Sequence, residues 1–310
     1  MIGFAHEAVV YSGLDGFLQS VVPFVREGVG RGEATLVAVP GDRLRPLRDA
    51  LGDTADLVTF ADMEVVGVNP ARIIPAWSDF LTAYPDRPVR GVGEPVWAGR
   101  SDPELEECRR HESLLNVAFA DAGPFTLLCP YDAATLAPEV VADVGRTHPV
   151  VAQAGARAPS RCCPSLEEMA LPHTGTLDEP PAPTAPYPFS ECDLSAIRAM
   201  VEAEALGAGL SQGAAEALVL SAHELATNSV RHGGGRGVLR LWCTERSAIV
   251  EIADGGHISD PLAGRARPTT AATNGRGLWM ANQLCDLVQV RDTPDGTVIR
   301  LHQHLPWREG

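Results

Sequence analysis

The feature that most constrains the fold is a change of pattern at a proline-dense segment, Leu177–Pro188. Residues 1 to about 150 alternate short apolar stretches with amphipathic ones, which predicts strands and helices in turn and a mostly parallel α/β sheet. After the segment, helices come first and strands follow, which predicts a two-layer α+β domain. Proline removes backbone donors and favours extended chain. The sequence therefore predicts a domain over 1–152, a linker over 153–188 and a second domain over 189–310.

Apolar periodicity predicts the individual elements of both regions. The first region has predicted helices over Phe17–Val29, Leu44–Leu51, Arg72–Tyr84 and Glu104–Ala120, and predicted strands over Ala34–Val39, Leu57–Phe60, Val89–Val92 and Phe125–Cys129. The second has predicted helices over Asp193–Leu206, Ser211–His232 and Arg276–Cys285. Its predicted strands are Val238–Thr244, Ala248–Asp254, Leu287–Arg291 and Thr297–His302, with a polar loop up to Asn274 and a hairpin turn at Pro294–Gly296.

Composition excludes several classes of function. A net charge of −15 without a basic stretch argues against nucleic-acid and membrane binding, and favours protein or small-molecule partners. All 25 basic residues are arginine, so Walker A loops, Schiff-base enzymes and the protein-kinase fold are excluded in their standard forms. The lack of a leader pattern and of long apolar stretches predicts a cytoplasmic protein. Seven cysteines without C-x-x-C spacing favour free thiols over disulfides or a zinc site.

Chemistry-bearing side chains are concentrated in the last 90 or so residues. Glu224 and Asn228 lie one turn apart on a predicted helix and share a face with Arg231. A carboxylate and an amide oxygen so placed can orient a hydroxyl and bind Mg²⁺, although such a pair alone is common on solvated helix faces. Strand alternation places Asp254 on the same side as Val250 and Ile252. There its carboxylate needs a donor, such as the exocyclic amine of adenine; the alternative is that Asp254 only begins a turn.

Two glycines, Gly275 and Gly277, end a loop and open a helix, where backbone amides can approach a phosphate. Arg265, Arg267 and Arg276 supply guanidinium groups in or beside that loop. A flexible turn is the alternative reading of the two glycines.

In this order and spacing, these segments resemble the GHKL (Bergerat) ATP-binding superfamily, which includes gyrase, MutL and histidine kinases. The resemblance covers Phe189 to Leu305, and its short version is most similar to the anti-sigma-factor serine kinases. The matching segments are an N box at Glu224–Asn228 that continues to Arg231–Gly233, glycine boxes at Asp254–Gly256 and Gly275–Gly277, and a final adenine-side signature at Asp295–Thr297.

The resemblance implies a role for each matching residue and implies ATP and Mg²⁺ as cofactors. Glu224 would be the general base for a serine hydroxyl, Asn228 would bind Mg²⁺, and Asp254 would bind the adenine amine. The other residues implied in nucleotide binding are Gly256 and Thr297 near the base, Gly275 and Gly277 at the phosphates, and Arg231, Arg276 and Leu278.

One departure from the family pattern supports an alternative. The first glycine box should read Asp-x-Gly-x-Gly, but Ile258 stands where the second glycine belongs. This substitution favours a non-catalytic switch, in which ATP or the domain surface governs partner binding without turnover. A sensor histidine kinase ranks last, because the predicted linker offers only His173, in a stretch that forms no dimerisation helix.

The first region, over about Gly3–Val151, resembles the MEDS (DcmR-type) sensory domain, which implies a small organic ligand. The matching segments are His6–Tyr11, Pro23–Gly28, Gly32–Val37, Gly93–Trp97, Arg110–Asn116 and Cys129–Asp132. His6, Glu94, His111 and Tyr131 are polar candidates for contacting a ligand, although core or capping roles are favoured for each. Glu112 and Asn116 repeat the N-box spacing, but no glycine boxes follow, so we interpret that match as chance. Ser211, within a Gly-x-Ser-x-Gly match, is predicted to be a helix cap.

Together these observations predict a cytoplasmic two-domain regulator, in which a ligand-sensing domain controls an anti-sigma-factor-type serine kinase. Its expected partners are a sigma factor, an antagonist protein that it phosphorylates on serine, or both. Kinases of this type are usually dimers, so a homodimer is also expected.

Overall fold

The computed structural model of the chain describes residues 3–153, 155–180, 184–268 and 275–306. The chain divides into two compact units, Met1–Ala170 and Leu171–Gly310. Across these described ranges, every helix is too short or too polar to span a bilayer.

The first unit is a seven-stranded sheet with helices between its strands. Its strands are β1 (Phe4–Tyr11), β2 (Ala34–Val39), β3 (Val58–Asp62), β4 (Val89–Gly93), β5 (Phe125–Asp132), β6 (Val150–Gln153) and β7 (Ala156–Pro159). Its helices are α1 (Gly13–Gly30), α2 (Gly41–Leu51), α3 (Met63–Val66), α4 (Ile73–Ala83), α5 (Asp102–Ala118), α6 (Pro138–Asp143) and α7 (Leu166–Met169). The strand order is β3-β2-β4-β5-β1-β6-β7, and all neighbours are parallel except β6 and β7. The predicted mostly parallel α/β sheet is confirmed.

Continuous apolar runs explain why the central strands are buried. All six residues of β2 are buried, as expected for a parallel strand covered on both faces. Helix α1 packs Phe17, Val21 and Val25 into one apolar cluster beside β2. Near β4, the ring of Trp77 packs so closely on Gly91 that a Cβ there would lie 2.9 Å from it.

The structure places more of the chain in folded units than the sequence predicted. The predicted boundary at 152 falls inside β6, and the predicted linker contains β7, α7 and the start of the second sheet. Strand β7 pairs with β6, and Arg157 on β7 forms an ion pair with Glu7. Short strands rich in alanine and proline carry little apolar periodicity, so the sequence pattern missed them.

The second unit is a five-stranded antiparallel sheet with three helices on one face. Its strands are β8 (Tyr187–Ser190), β9 (Arg236–Cys243), β10 (Ser247–Asp254), β11 (Leu287–Thr293) and β12 (Gly296–His304). Its helices are α8 (Leu194–Ala208), α9 (Gln212–His232) and α10 (Arg276–Leu284). The strand order is β11-β12-β10-β9-β8. The predicted α+β layer is confirmed, and the edge strand β8 was not predicted.

Local sequence explains where the two long helices of this unit end and begin. Gly209 adopts a left-handed conformation and ends α8. The side chain of Ser211 accepts a hydrogen bond from the Ala214 amide and begins α9, as predicted. Helix α9 then buries Leu218, Ala222 and Leu225 against the sheet. The opposite face of α9 carries polar residues, which include Glu224, Asn228 and Arg231.

Candidate functional site

The polar face of α9 places Glu224 and Asn228 beside the start of α10. Both side chains are half-buried. A Cβ at Gly277 would lie 2.9 Å from Nδ2 of Asn228 and 3.5 Å from Oε2 of Glu224, so glycine permits this close approach. The structure thus brings the predicted N-box residues and the second glycine segment together.

Neither of these two polar side chains is committed to a structural role. Within the described ranges, no residue forms a hydrogen bond or ion pair with the carboxylate of Glu224 or the side-chain amide of Asn228. Because both side chains are only half-buried, water can solvate their polar atoms, and a ligand can replace that water. The carboxylate oxygens of Glu224 and the amide oxygen of Asn228 are therefore available to a substrate, a metal ion or water.

Asp254 ends β10 on the helix-covered side of the sheet, as strand alternation predicted. Its Oδ2 accepts a hydrogen bond of 2.6 Å from Oγ of Ser229 on α9, and its Oδ1 accepts one of 2.8 Å from the Gly256 amide. At Gly233, which follows α9, any Cβ would overlap the Asp254 carboxylate. Sequence reasoning did not identify Ser229. The only signal for it is its position directly after Asn228, one turn before Gly233.

The last adenine-side signature lies beside Asp254 across the β10–β12 pair. Thr297 is opposite Asp254 in the strand register, and its hydroxyl donates a hydrogen bond of 2.8 Å to the Gly256 carbonyl. Gly296 has a φ of +129°, and a Cβ there would overlap the Asp254 carbonyl oxygen. Glycine is therefore required where β12 begins against the end of β10.

The second glycine segment forms the start of α10. Gly275 is left-handed, with a φ of +84°, and precedes the first helical residue, the exposed Arg276. Leu278 packs its side chain into the core of the unit. The predicted polar loop includes residues 269–274, which lie outside the described residues. In the described part of this loop, before residue 269, the Gly264 carbonyl accepts a hydrogen bond of 3.0 Å from the side chain of Asn282 on α10. Arg267 lies over the Trp279 ring.

Six of the ten predicted residues form two clusters within this unit. Glu224, Asn228 and Gly277 form one cluster. Asp254, Gly256 and Thr297 form the other, together with Gly233 of the N-box match and with Ser229, which the structure adds. The other four predicted residues are Arg231, Gly275, Arg276 and Leu278. Arg231 lies exposed in the last turn of α9. The arrangement offers a general base, a hard-cation ligand, an acceptor for an amine and a helix N-terminus for an anion.

Comparison with known families agrees with this arrangement. The family described as histidine kinase-like ATPase domain matches residues 188–302. The family described as MEDS, the methanogen/methylotroph DcmR sensory domain, matches residues 5–149. The chain is a MEDS domain fused to a histidine kinase-like ATPase domain. No curated protein matches it.

This combination is that of a regulatory ATP-binding signalling protein. All ten predicted site residues lie inside the ATPase domain. The residues present suit a nucleotide, because they offer an acceptor at Asp254, oxygens without a described partner at Glu224 and Asn228, and the N-terminus of α10. Gly233 and Gly277 let the chain pack directly against Asp254 and Asn228, where a Cβ would overlap the Asp254 carboxylate and lie 2.9 Å from Nδ2 of Asn228. Ile258, which replaces the second glycine of the first box, packs against the apolar core of the unit.

In the MEDS domain, the four polar candidates named from the sequence are all buried. His6, Glu94, His111 and Tyr131 have exposed fractions of 1–4%. Glu94 follows β4 at the carboxyl edge of the sheet, where ligands of parallel α/β sheets commonly bind. Its Oε1 accepts a hydrogen bond of 2.6 Å from the Tyr11 hydroxyl, and its Oε2 has no described partner. Burial raises the pKa of Glu94 to about 8.

Proposed function

We propose that this protein binds ATP and Mg²⁺ in its ATPase domain and phosphorylates a serine of a protein antagonist, under the control of a small-molecule ligand of the MEDS domain. The observation that carries the proposal is the pair of unpartnered, half-buried groups on α9, Glu224 and Asn228, against the glycine start of α10. A base and a metal ligand one turn apart suit the transfer of a phosphoryl group to a hydroxyl.

Each residue of the site has a role in this proposal. Glu224 accepts the proton of the attacking serine hydroxyl, and the amide oxygen of Asn228 binds Mg²⁺. Asp254 accepts the adenine amine, in a pocket supported by Gly256 and Thr297. The phosphates bind at the start of α10, through the backbone of Gly275, Gly277 and Leu278 and the guanidinium groups of Arg231 and Arg276.

The proposed partners are proteins, namely a sigma factor, its antagonist or both. The protein would act in the cytoplasm as a homodimer, without direct contact to nucleic acid or membrane. Its net charge of −15 disfavours nucleic acid and anionic lipid as partners.

A non-catalytic switch is the second candidate, and one observation favours it. In the family pattern, glycine would free the chain after the first glycine box to move, whereas here Ile258 anchors that segment on the core. A nucleotide could then alter partner binding without being turned over.

Nucleotide binding by the full chain is the first test. Calorimetric titration with ATP and Mg²⁺ should give saturable binding, and Asp254→Asn should weaken it at least about tenfold. The amide has a single acceptor oxygen, whereas the Ser229 hydroxyl, the Gly256 amide and the adenine amine are all donors at this site. Glu224→Gln should bind ATP about as tightly as the unaltered chain. If Asp254→Asn binds ATP normally, the assignment of the adenine pocket is wrong.

Phosphoryl transfer separates the remaining candidates. The full chain is incubated with γ-labelled ATP and protein extract of the source organism, and the labelled residue is mapped. The proposed kinase yields acid-stable phosphoserine that disappears with Glu224→Gln. Acid-labile phosphohistidine would indicate a histidine kinase, for which His173 lies in a segment without helix. ATP binding without any labelled protein would favour the switch.

A further inference from the structure

Four metal-ligating side chains from separate parts of the MEDS domain meet in its core. They are His6 on β1, Glu112 on α5, Cys129 on β5 and His148 in the segment before β6. All four are buried, and their ligand atoms lie within 4.8 Å of one another. Strands β1 and β5 are parallel neighbours, and α5 covers the face on which His6 and Cys129 lie.

The spacing of the four ligand atoms suits a tetrahedral metal site. Oε2 of Glu112 lies 3.0 Å from Nε2 of His6, 3.2 Å from Nε2 of His148 and 3.4 Å from Sγ of Cys129. Nε2 of His6 and Sγ of Cys129 are 3.3 Å apart. In a tetrahedral zinc site with bonds of about 2.0–2.3 Å, neighbouring ligand atoms are about 3.3–3.7 Å apart. These four separations are within about 0.3 Å of that range, and all the ligand atoms lie within 4.8 Å of one another, so small shifts of the side chains would let the cluster hold such an ion.

Hydrogen bonds outside the cluster fix the orientation of both imidazole rings. Nδ1 of His148 lies 3.0 Å from the Val144 carbonyl, which can only accept, and 2.9 Å from the Thr147 hydroxyl, whose own proton can go to the same carbonyl at 3.2 Å. Nδ1 of His6 lies 3.2 Å from Oδ1 of Asn116, whose amide nitrogen donates to three backbone carbonyls and so fixes the orientation of the amide. Each Nδ1 atom therefore has an acceptor to which it can donate, and in that tautomer of the neutral rings both Nε2 atoms present lone pairs to the cluster. This outer hydrogen bonding is typical of metal-binding histidines.

In that tautomer and without a cation, the Cys129 thiol would be the one donor of the cluster, among acceptors that face one another. Two Nε2 lone pairs and a carboxylate converge there, and Oε1 of Glu112 and Nε2 of His148 have no described hydrogen-bond donor. Protonating both rings would place two buried positive charges on imidazoles whose centroids are 4.2 Å apart. One divalent ion satisfies all four groups at once.

We propose that His6, Glu112, Cys129 and His148 bind one divalent metal ion of the zinc class inside the MEDS domain. Binding replaces the thiol proton of Cys129, which is released to solvent, so that thiolate, carboxylate and a divalent cation give a neutral buried site. Two nitrogens, one sulfur and one oxygen in a compact arrangement are a donor set that suits Zn²⁺. In the sequence, the absence of C-x-x-C spacing argued against a zinc site. That spacing detects only ligands that lie close together in one loop, whereas these four come from separate parts of the domain.

The test measures metal content and ligand identity in the full chain, purified without a histidine tag. Elemental analysis should find about one zinc ion per chain after incubation with zinc and gel filtration. Cys129→Ala should lose it, with affinity at least about 100-fold weaker. Cys108→Ala is the matched control, because Cys108 is a fully buried thiol on α5 outside the cluster, and it should retain the ion. Substitution with Co²⁺ should give a thiolate-to-cobalt charge-transfer band that Cys129→Ala removes and Cys108→Ala retains.

Two results would overturn the proposal. One is substoichiometric zinc in the unaltered chain, and the other is zinc content in Cys129→Ala equal to that in Cys108→Ala. Either would make the cluster a hydrogen-bonded core instead. If Cys129→Ala fails to fold, the nearly isosteric Glu112→Gln replaces it and should show the same loss of zinc. The test does not involve the ATP site, so its outcome is independent of the proposed kinase activity.

Discussion

The carboxylate of Asp254 is positioned by donors from two different elements. Ser229 on α9 donates to one oxygen and the Gly256 amide donates to the other. Because a carboxylate oxygen has two lone pairs, each can accept a further donor from a ligand. Ser229 is therefore a positioning residue for the group that we propose binds adenine.

Removal of the Ser229 hydroxyl should weaken ATP binding without unfolding the domain. A hydrogen bond to a charged acceptor contributes about 1.5–3 kcal/mol, so Ser229→Ala should raise the dissociation constant for ATP about tenfold or more. Ser221→Ala is the matched control, because Ser221 is also buried on α9 but donates only to the Ala217 carbonyl of its own helix. Calorimetry on the two full-length variants makes the comparison. Equal affinities would show that Ser229 does not position Asp254.

Residue types at fixed spacing indicated the proposed ATP site but not the proposed metal cluster. Glu224, Asn228 and the glycines of both boxes were identified because each motif is local and its chemistry depends on short spacing. Glu112 was noticed for its spacing to Asn116 but interpreted as chance. Its partners His6 and Cys129 are more than 100 residues and 17 residues away, and only the pairing of β1 with β5 brings them together.

At the scale of elements, the carboxyl ends of parallel strands gather charged groups at one edge of the MEDS sheet. Tyr11 ends β1, Glu94 follows β4 and Asp132 ends β5. Asp132 forms an ion pair of 3.0 Å with Arg43, and the charges of Arg43, Asp132 and Asp42 act on Glu94. Burial is the largest cause and raises the pKa of Glu94, and the two aspartates raise it further. Together they outweigh the Tyr11 hydrogen bond and Arg43, which lower it, so the pKa of Glu94 rises to about 8 from an ordinary 4.5.

The stability of the MEDS domain should therefore fall as the pH rises from about 4.5 to about 8. The folded state holds the Glu94 proton more tightly than the unfolded chain does. The stabilisation is complete below the unfolded pKa and is lost as the pH passes through the folded one. Within that window, Glu94 should lower the free energy of unfolding by about 1.4 kcal/mol per pH unit. Glu94→Gln should remove this part of the slope, as measured by urea titration at several pH values with hydrogen exchange of β4 and β5.

An unchanged slope in Glu94→Gln would contradict the assignment. Glu94→Gln keeps an oxygen that can accept from the Tyr11 hydroxyl. Any weakening of that hydrogen bond in the variant would lower the stability equally at every pH. The pH dependence thus distinguishes a titrating buried carboxyl from a structural one.

Most long periodic elements were predicted from the sequence, whereas the short strands β6, β7 and β8 and the eight-residue inner strand β1 were not. The helices over α1, α5, α8 and α9 and the strands β2 and β10 follow from apolar periodicity, and most ends differ from the prediction by a few residues. Helix α1 begins earlier than predicted and β5 ends later, because polar residues such as Asp15 and Asp132 continue these elements beyond their apolar stretches. Strands β7 and β8 contain four residues each, and proline interrupts their alternation.

At the scale of the whole molecule, the boundary of the ATPase unit lies upstream of the segment that sequence motifs mark. The unit begins at Leu171, whereas the resemblance to the superfamily begins at Phe189. Two backbone carbonyls in the intervening chain bind the sheet: His173 accepts from the Asp292 amide at 3.0 Å, and Asp178 accepts from Arg300 at 2.9 Å. Tyr187 pairs with Leu239 and packs against the core.

A fragment that begins at Leu171 should consequently be more stable than one that begins at Phe189. The shorter fragment loses half of β8, the apolar contacts of Tyr187 and both carbonyl acceptors, which together stabilise the unit by about 2–4 kcal/mol. A third fragment that begins at Thr184 retains β8 but not the carbonyls, so its stability should lie between the other two. Urea unfolding of the three fragments makes the comparison, and equal midpoints for all three would show that residues 171–188 do not belong to the folded unit. Because the residues proposed to bind ATP all follow Phe189, the two longer fragments should bind ATP with equal affinity, which separates the stability of the unit from its function.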